Sequence, residues 1–73
     1  MIPEKDKKYY IECWADDPIL EENLLIFKGI GTFTGETSID RYKETLYVFK
    51  FPEDENILAT LFGNEDIVKE VPQ

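Results

Sequence analysis

Three groups of residues in this chain have types and spacings on which chemistry is built elsewhere. Gly29-Ile30-Gly31-Thr32-Phe33 is glycine-rich like a phosphate-covering loop. Cys13 is a lone thiol. Asp16, Asp17, Glu21 and Glu22 form one carboxylate cluster, and Glu53, Asp54 and Glu55 form another. The glycine run fails on context: no lysine follows it as a P-loop requires, and no helix is expected to open there as a dinucleotide fold requires. A thiol nucleophile needs a base beside it, yet the chain contains no histidine, and Cys13 falls on the apolar side of an expected strand. The first acidic cluster lacks the glycine-centred spacing of a calcium loop, and the second suits the positive end of a helix dipole. A chain of 73 residues also offers little cleft in which to desolvate a substrate. The residues therefore predict a protein that is not an enzyme, with no catalytic residue, metal or cofactor.

The elements expected to position these residues centre on Lys43–Gly63. Thr45–Phe51 alternates as a strand, with Tyr47, Phe49 and Phe51 on one face and Leu46, Val48 and Lys50 on the other. Pro52 fits a first helical turn, Gly63 fits a helix C-cap, and Ile57, Leu58, Leu61 and Phe62 fall on one helical stripe. The spacing thus predicts a helix from Pro52 to Gly63 packed on the sheet. Upstream, Lys8–Ala15 reads as a strand with Tyr9, Ile11, Cys13 and Ala15 facing the core. Tyr10, Glu12 and Trp14 share its other face. Asp16-Asp17-Pro18 marks a turn, and Pro18–Glu22 reads as either a helical turn or a loop.

Asn23–Gly35 reads as a second strand, with Leu25, Phe27, Gly29, Gly31, Phe33 and Gly35 on one face. The glycines leave a gap there that Tyr47 or Trp14 is placed to fill. Glu36–Tyr42 reads as a polar connection, and Asp66–Val71 as a fourth, edge strand. The expected fold is one α+β domain spanning residues 1–73, a three- or four-stranded antiparallel sheet with one helix on a face, in the order β-β-β-α-β. A small SH3-like barrel, its helix cut to a single turn, is the alternative.

Composition narrows the function classes. Hydrophobic residues at 42% and aromatics at 14% argue for a packed core. So small a core ordinarily needs a disulfide, a metal or a partner chain, and one cysteine without histidine leaves the partner chain, with a homodimer the simplest form. No signal peptide or bilayer-length apolar run is visible, which predicts a soluble, cytoplasmic protein. The net charge of −8 repels nucleic acid and anionic membranes and favours a basic partner.

Charge is also unevenly placed. Tyr9–Phe27 contains Glu12, Asp16, Asp17, Glu21 and Glu22 without a base, and Phe51–Val68 contains Glu53, Asp54, Glu55, Glu65 and Asp66 without a base. These ten acids are the candidate partner-binding residues. Carboxylates at alternate strand positions stand about 6.6–6.8 Å apart, close to the spacing of successive phosphates. In size, charge and lack of histidine the chain resembles the small inhibitors with which bacteriophages mimic DNA, such as those of uracil-DNA glycosylase and the bacterial histone-like protein. The resemblance implies an inhibitor of a host nucleic-acid-binding protein, acting in a bacterial cytoplasm. The alternative is a structural or interaction subunit joined through the aromatic face of Tyr10 and Trp14.

Overall fold

A computed structural model describes residues 1–53 and 56–72, with side chains described at all of these but 53 and 56–59. Five strands run in sequence: β1 (Lys8–Asp17), β2 (Glu22–Ile39), β3 (Thr45–Glu53), β4 (Asn56–Gly63) and β5 (Ile67–Val71), with a 3-10 turn, Asn64–Asp66, before the last. They form one antiparallel sheet in the order β4-β3-β2-β1-β5. The α+β expectation is overturned: the 3-10 turn is the only helical element among the described residues, and the fold is all-β.

The predicted helix from Pro52 to Gly63 is instead a hairpin arm returning along β3. Tyr47 pairs with Phe62, Phe49 with Thr60 and Phe51 with Leu58. A short apolar run such as Ile57–Phe62 satisfies both periods, so spacing alone does not choose between helix and strand. An isolated helix of that length is marginal in water, whereas pairing with β3 satisfies the backbone and delivers Phe62 into the core. Pro52 falls beyond the last β2 partner of β3, Lys50, where its missing N–H interrupts no ladder to β2.

The sheet must coil. Its edges, β4 and β5, would lie about 19 Å apart if flat, at about 4.8 Å per strand. Only the 3-10 turn joins Gly63 to Ile67, a span of at most about 14 Å of chain. Among the described residues β4 and β5 form no ladder with each other, so the sheet remains open rather than closing into the alternative barrel. Coiling is helped by β2, which is longer than expected and serves two ladders. Its first half pairs with β1 and its second with β3, and within the β3 ladder a bulge from Phe33 to Thr37 contains Gly35 at φ +89°. Strand pairing thus occupies most of the segment expected as a polar connection, leaving Asp40–Glu44 as the turn; Asp40 Oδ1 accepts the N–H groups of Tyr42 and Glu44.

The concave face holds the core: Tyr9 and Ile11 of β1, Phe33 of β2, Tyr47, Phe49 and Phe51 of β3, Phe62 of β4 and Ile67 of β5. Phe49 is wholly buried, with Tyr9, Phe33, Phe51 and Phe62 around it at ring-centroid distances of 5.5–6.4 Å. The gap over the β2 glycines is filled by Phe51 rather than by Tyr47 or Trp14. A Cβ on Gly31 would stand 2.5 and 2.6 Å from that ring, so a side chain there would force the ring or the strand to shift. The N-terminal lead is tied down as well. The Glu4 N–H donates to the Tyr9 hydroxyl oxygen at 2.6 Å, and Lys7 pairs with Glu4 and Glu70. Lys7 holds the Glu4 carboxyl below its usual range, and its own ammonium is raised chiefly by the same pair.

Candidate binding site: an acidic cleft beside Trp14

β1 places Glu12, Trp14 and Asp16 along one face because they alternate. Trp14 is half exposed, and its indole N–H donates to Glu12 Oε2 at 3.2 Å. The coil of the sheet brings the 3-10 turn across from them. Glu12, Trp14, Asp16, Asn23, Glu65 and Asp66 then line one cleft of about 310 Å³. Residues from both acid-only sequence windows therefore meet at one place. None of the cleft carboxylates is ion-paired within the described residues; the base nearest Glu12 in register is Lys28, its cross-strand partner.

The cleft's electrostatics follow from this crowding. Asp66 accepts the Gly63 N–H at 3.2 Å, yet its carboxyl is raised above the ordinary value, first by burial and then by repulsion from Glu65. Cys13 lies half-buried on the opposite face of β1. Burial pushes its thiol up, and the charges of Asp66 and Glu65 push it further, which keeps it in the unreactive thiol form.

The other predicted acids are distributed as follows. Asp17 closes the β1–β2 turn, where its Oδ1 accepts the N–H groups of Ile19 and Leu20 at 2.8 and 3.1 Å. Glu21 is exposed in that turn at φ +55°, and Glu22 opens β2 directly opposite Asp17. Glu53 ends β3; Asp54, Glu55 and the side chain of Glu53 lie outside the described residues. The expected run of carboxylates at alternate positions is interrupted on β1, because Trp14 stands between Glu12 and Asp16. Those two are four residues apart, about 13 Å along a strand.

Tyr10 shares the face of Glu12 and Trp14 but belongs to different surroundings. It is half-buried opposite Ile30 and Lys69 and lines a second cavity of about 330 Å³ with Val71 and Pro72. Burial, and then the nearby Glu12, raises its hydroxyl pKa. Two features escaped the sequence. A bulge between Cys13 and Trp14 sets Leu25 opposite Trp14, so Leu25 leaves the Phe27 face to which strict alternation assigned it. Ile19 and Leu20, read as part of a turn or loop, stand 89% and 60% exposed at its tip. The signal was present in Pro18-Ile19-Leu20, an apolar pair inside a turn.

No family model matches this chain, and neither the curated proteins nor the solved structures give a match. Among the described residues no group of three or more His, Cys, Asp and Glu side chains is arranged to hold a metal, and no helix is long and apolar enough to cross a membrane.

Proposed function

We propose that this protein acts by binding alone. It is an acidic protein that occupies the basic surface of a partner, and the partner is a nucleic-acid-binding protein whose groove it fills as a DNA mimic. The observation that carries the reading is the cleft. Glu12 and Asp16 from β1 and Glu65 and Asp66 from the 3-10 turn are far apart in sequence and converge beside one half-exposed tryptophan. Convergent charge that forms no ion pair among the described residues steers an opposite partner and fixes its orientation. An exposed indole supplies the apolar and cation–π contact that such a site needs at its centre.

The test uses the full chain as bait in a bacterial lysate. Capture of basic nucleic-acid-binding proteins is expected at low salt. It should be displaced by added duplex DNA and lost at about 0.5 M salt, where the screening length falls to roughly 4 Å. The variant Glu12→Lys/Asp16→Lys/Glu65→Lys should remain folded and capture nothing. Undiminished capture by that folded variant would remove the reading. A subunit joined through Tyr10 and Trp14 is the competing reading, favoured by the exposure of Trp14; its association would hardly respond to salt.

A further inference from the structure

The β1–β2 hairpin changes character along its length. Up to Ile11, β1 is flanked by both β2 and β5. From Glu12 to Asp17 its only ladder partner among the described residues is β2, and β2 itself has no β3 partner before Thr32. The far half is a two-stranded arm, a structure that is marginal in water by itself. Yet it carries Trp14, Ile19, Leu20, Leu24, Leu25 and Ile26, all of them exposed. The Asx turn of Asp17 fixes the tip that presents Ile19 and Leu20.

None of these side chains belongs to the buried core cluster, and six exposed apolar residues gathered on one short arm mark a candidate interaction surface. Its charge says what kind. The arm holds Asp16, Asp17, Glu21 and Glu22, and no base occurs between Trp14 and Phe27. Asp17 and Glu22 are direct cross-strand partners, a like-charge pairing that destabilises a hairpin unless a countercharge arrives.

We propose that the arm docks a cationic amphipathic segment of a partner protein. Ile19, Leu20, Leu25 and Ile26 meet the apolar side of that segment, and its lysines or arginines meet the four acids. The proposal rests on the acidic-binding reading and deepens it by naming the partner's chemistry: a chain segment apolar on one side and basic on the other. The arm and the cleft are continuous, since Trp14 and Asp16 belong to both. A second copy of this chain is a poor occupant, because a two-fold contact through the arm sets the same four acids against themselves.

The test titrates the full chain with two synthetic peptides of equal charge, read through the fluorescence of its single tryptophan. One peptide is an amphipathic lysine/leucine sequence; in the other every leucine is serine. The lysine/leucine peptide should bind at least about tenfold more tightly, the scale of burying one large aliphatic side chain. Ile19→Ser/Leu20→Ser should cut that preference several-fold, Leu25 and Ile26 keeping the remainder, while leaving the melting temperature and the lysine/serine affinity unchanged. Equal affinity for the two peptides overturns the proposal, as does a preference that is undiminished in the folded double variant. Failure of both peptides to bind the wild-type chain would overturn the acidic-binding reading along with it. Sedimentation of the wild-type chain as a dimer that Ile19→Ser/Leu20→Ser dissolves would assign the arm to a second copy, and would also overturn it.

Discussion

At Phe49 the chain surrounds one ring with four others and leaves no part of it in solvent; at Trp14 the largest side chain of the protein stands half in water between carboxylates. Both residues lie on antiparallel strands of the same sheet. What differs is the number of layers of chain around them. Phe49 sits in the middle of the coil, where β1, β2, β3 and β4 each contribute a ring. Trp14 sits just past the bulge, where the sheet has thinned to two strands. Apolar area stabilises the fold only where other chain removes it from water. The interior is therefore the structural half of the molecule, and the apolar side chains of the arm stay in contact with water.

Substitutions can break or sharpen that division. Phe49→Ala should have the largest effect, costing about 3–5 kcal/mol through lost transfer energy and a cavity. Total stability for a chain of this length is on the order of 4–11 kcal/mol, so a large part of it would go. Urea denaturation followed by far-ultraviolet circular dichroism measures this, and a mild effect would mean the ring cluster is not the seat of stability. Gly31→Ala should follow at about 1–3 kcal/mol, because the new methyl would overlap the Phe51 ring, which is buried and has little room to move. An unchanged melting temperature would show that Phe51 does not lie over β2. The arm variant Ile19→Ser/Leu20→Ser belongs at the other extreme, within about 0.5 kcal/mol of wild type; a cooperative loss of stability there would erase the contrast.

The smallest effect is pH-dependent and lies at the junction of the two regions. Burial raises the Asp66 carboxyl, so the folded state holds that proton more tightly than the unfolded chain does. Its contribution to stability is then fully present below the ordinary value of 3.8 and is lost as pH rises through the raised one. Asp66→Asn should gain stability relative to wild type over that rise. The difference between the two melting curves, followed from about pH 3 to about pH 7, isolates this residue from the other acids. A difference that is flat or of opposite sign would contradict the placement of Asp66 against β1.

Much of the sheet was legible in the residues. The alternation of Tyr9, Ile11 and Cys13, and of Tyr47, Phe49 and Phe51, set the inward faces of β1 and β3, and the glycines at 29 and 31 announced a ring lying on the backbone. The misreading of residues 52–63 came from a run short enough to satisfy both a helical and a strand period. Pro52 and Gly63 then looked like helix caps although each has a place in a hairpin. The bulge after Cys13 was also invisible, because one extra residue in β2 leaves no mark on the pattern except the side to which Leu25 is sent. For the site, the two acid-only windows could be read directly, but not their meeting.

By itself the sequence determined which side chains seek the interior, that acids outnumber bases sixteen to eight, and that no histidine stands beside Cys13. These are properties of residue type and of alternation over a few positions, so local chemistry suffices to state them. Only the tertiary structure decided that β4 returns along β3, that the 3-10 turn carries Glu65 and Asp66 across to Trp14, and that the β1–β2 arm outruns its neighbours. Each of those depends on backbone hydrogen bonds between distant segments and on the coiling needed to join the sheet's two edges, and such long-range pairing has no local signature.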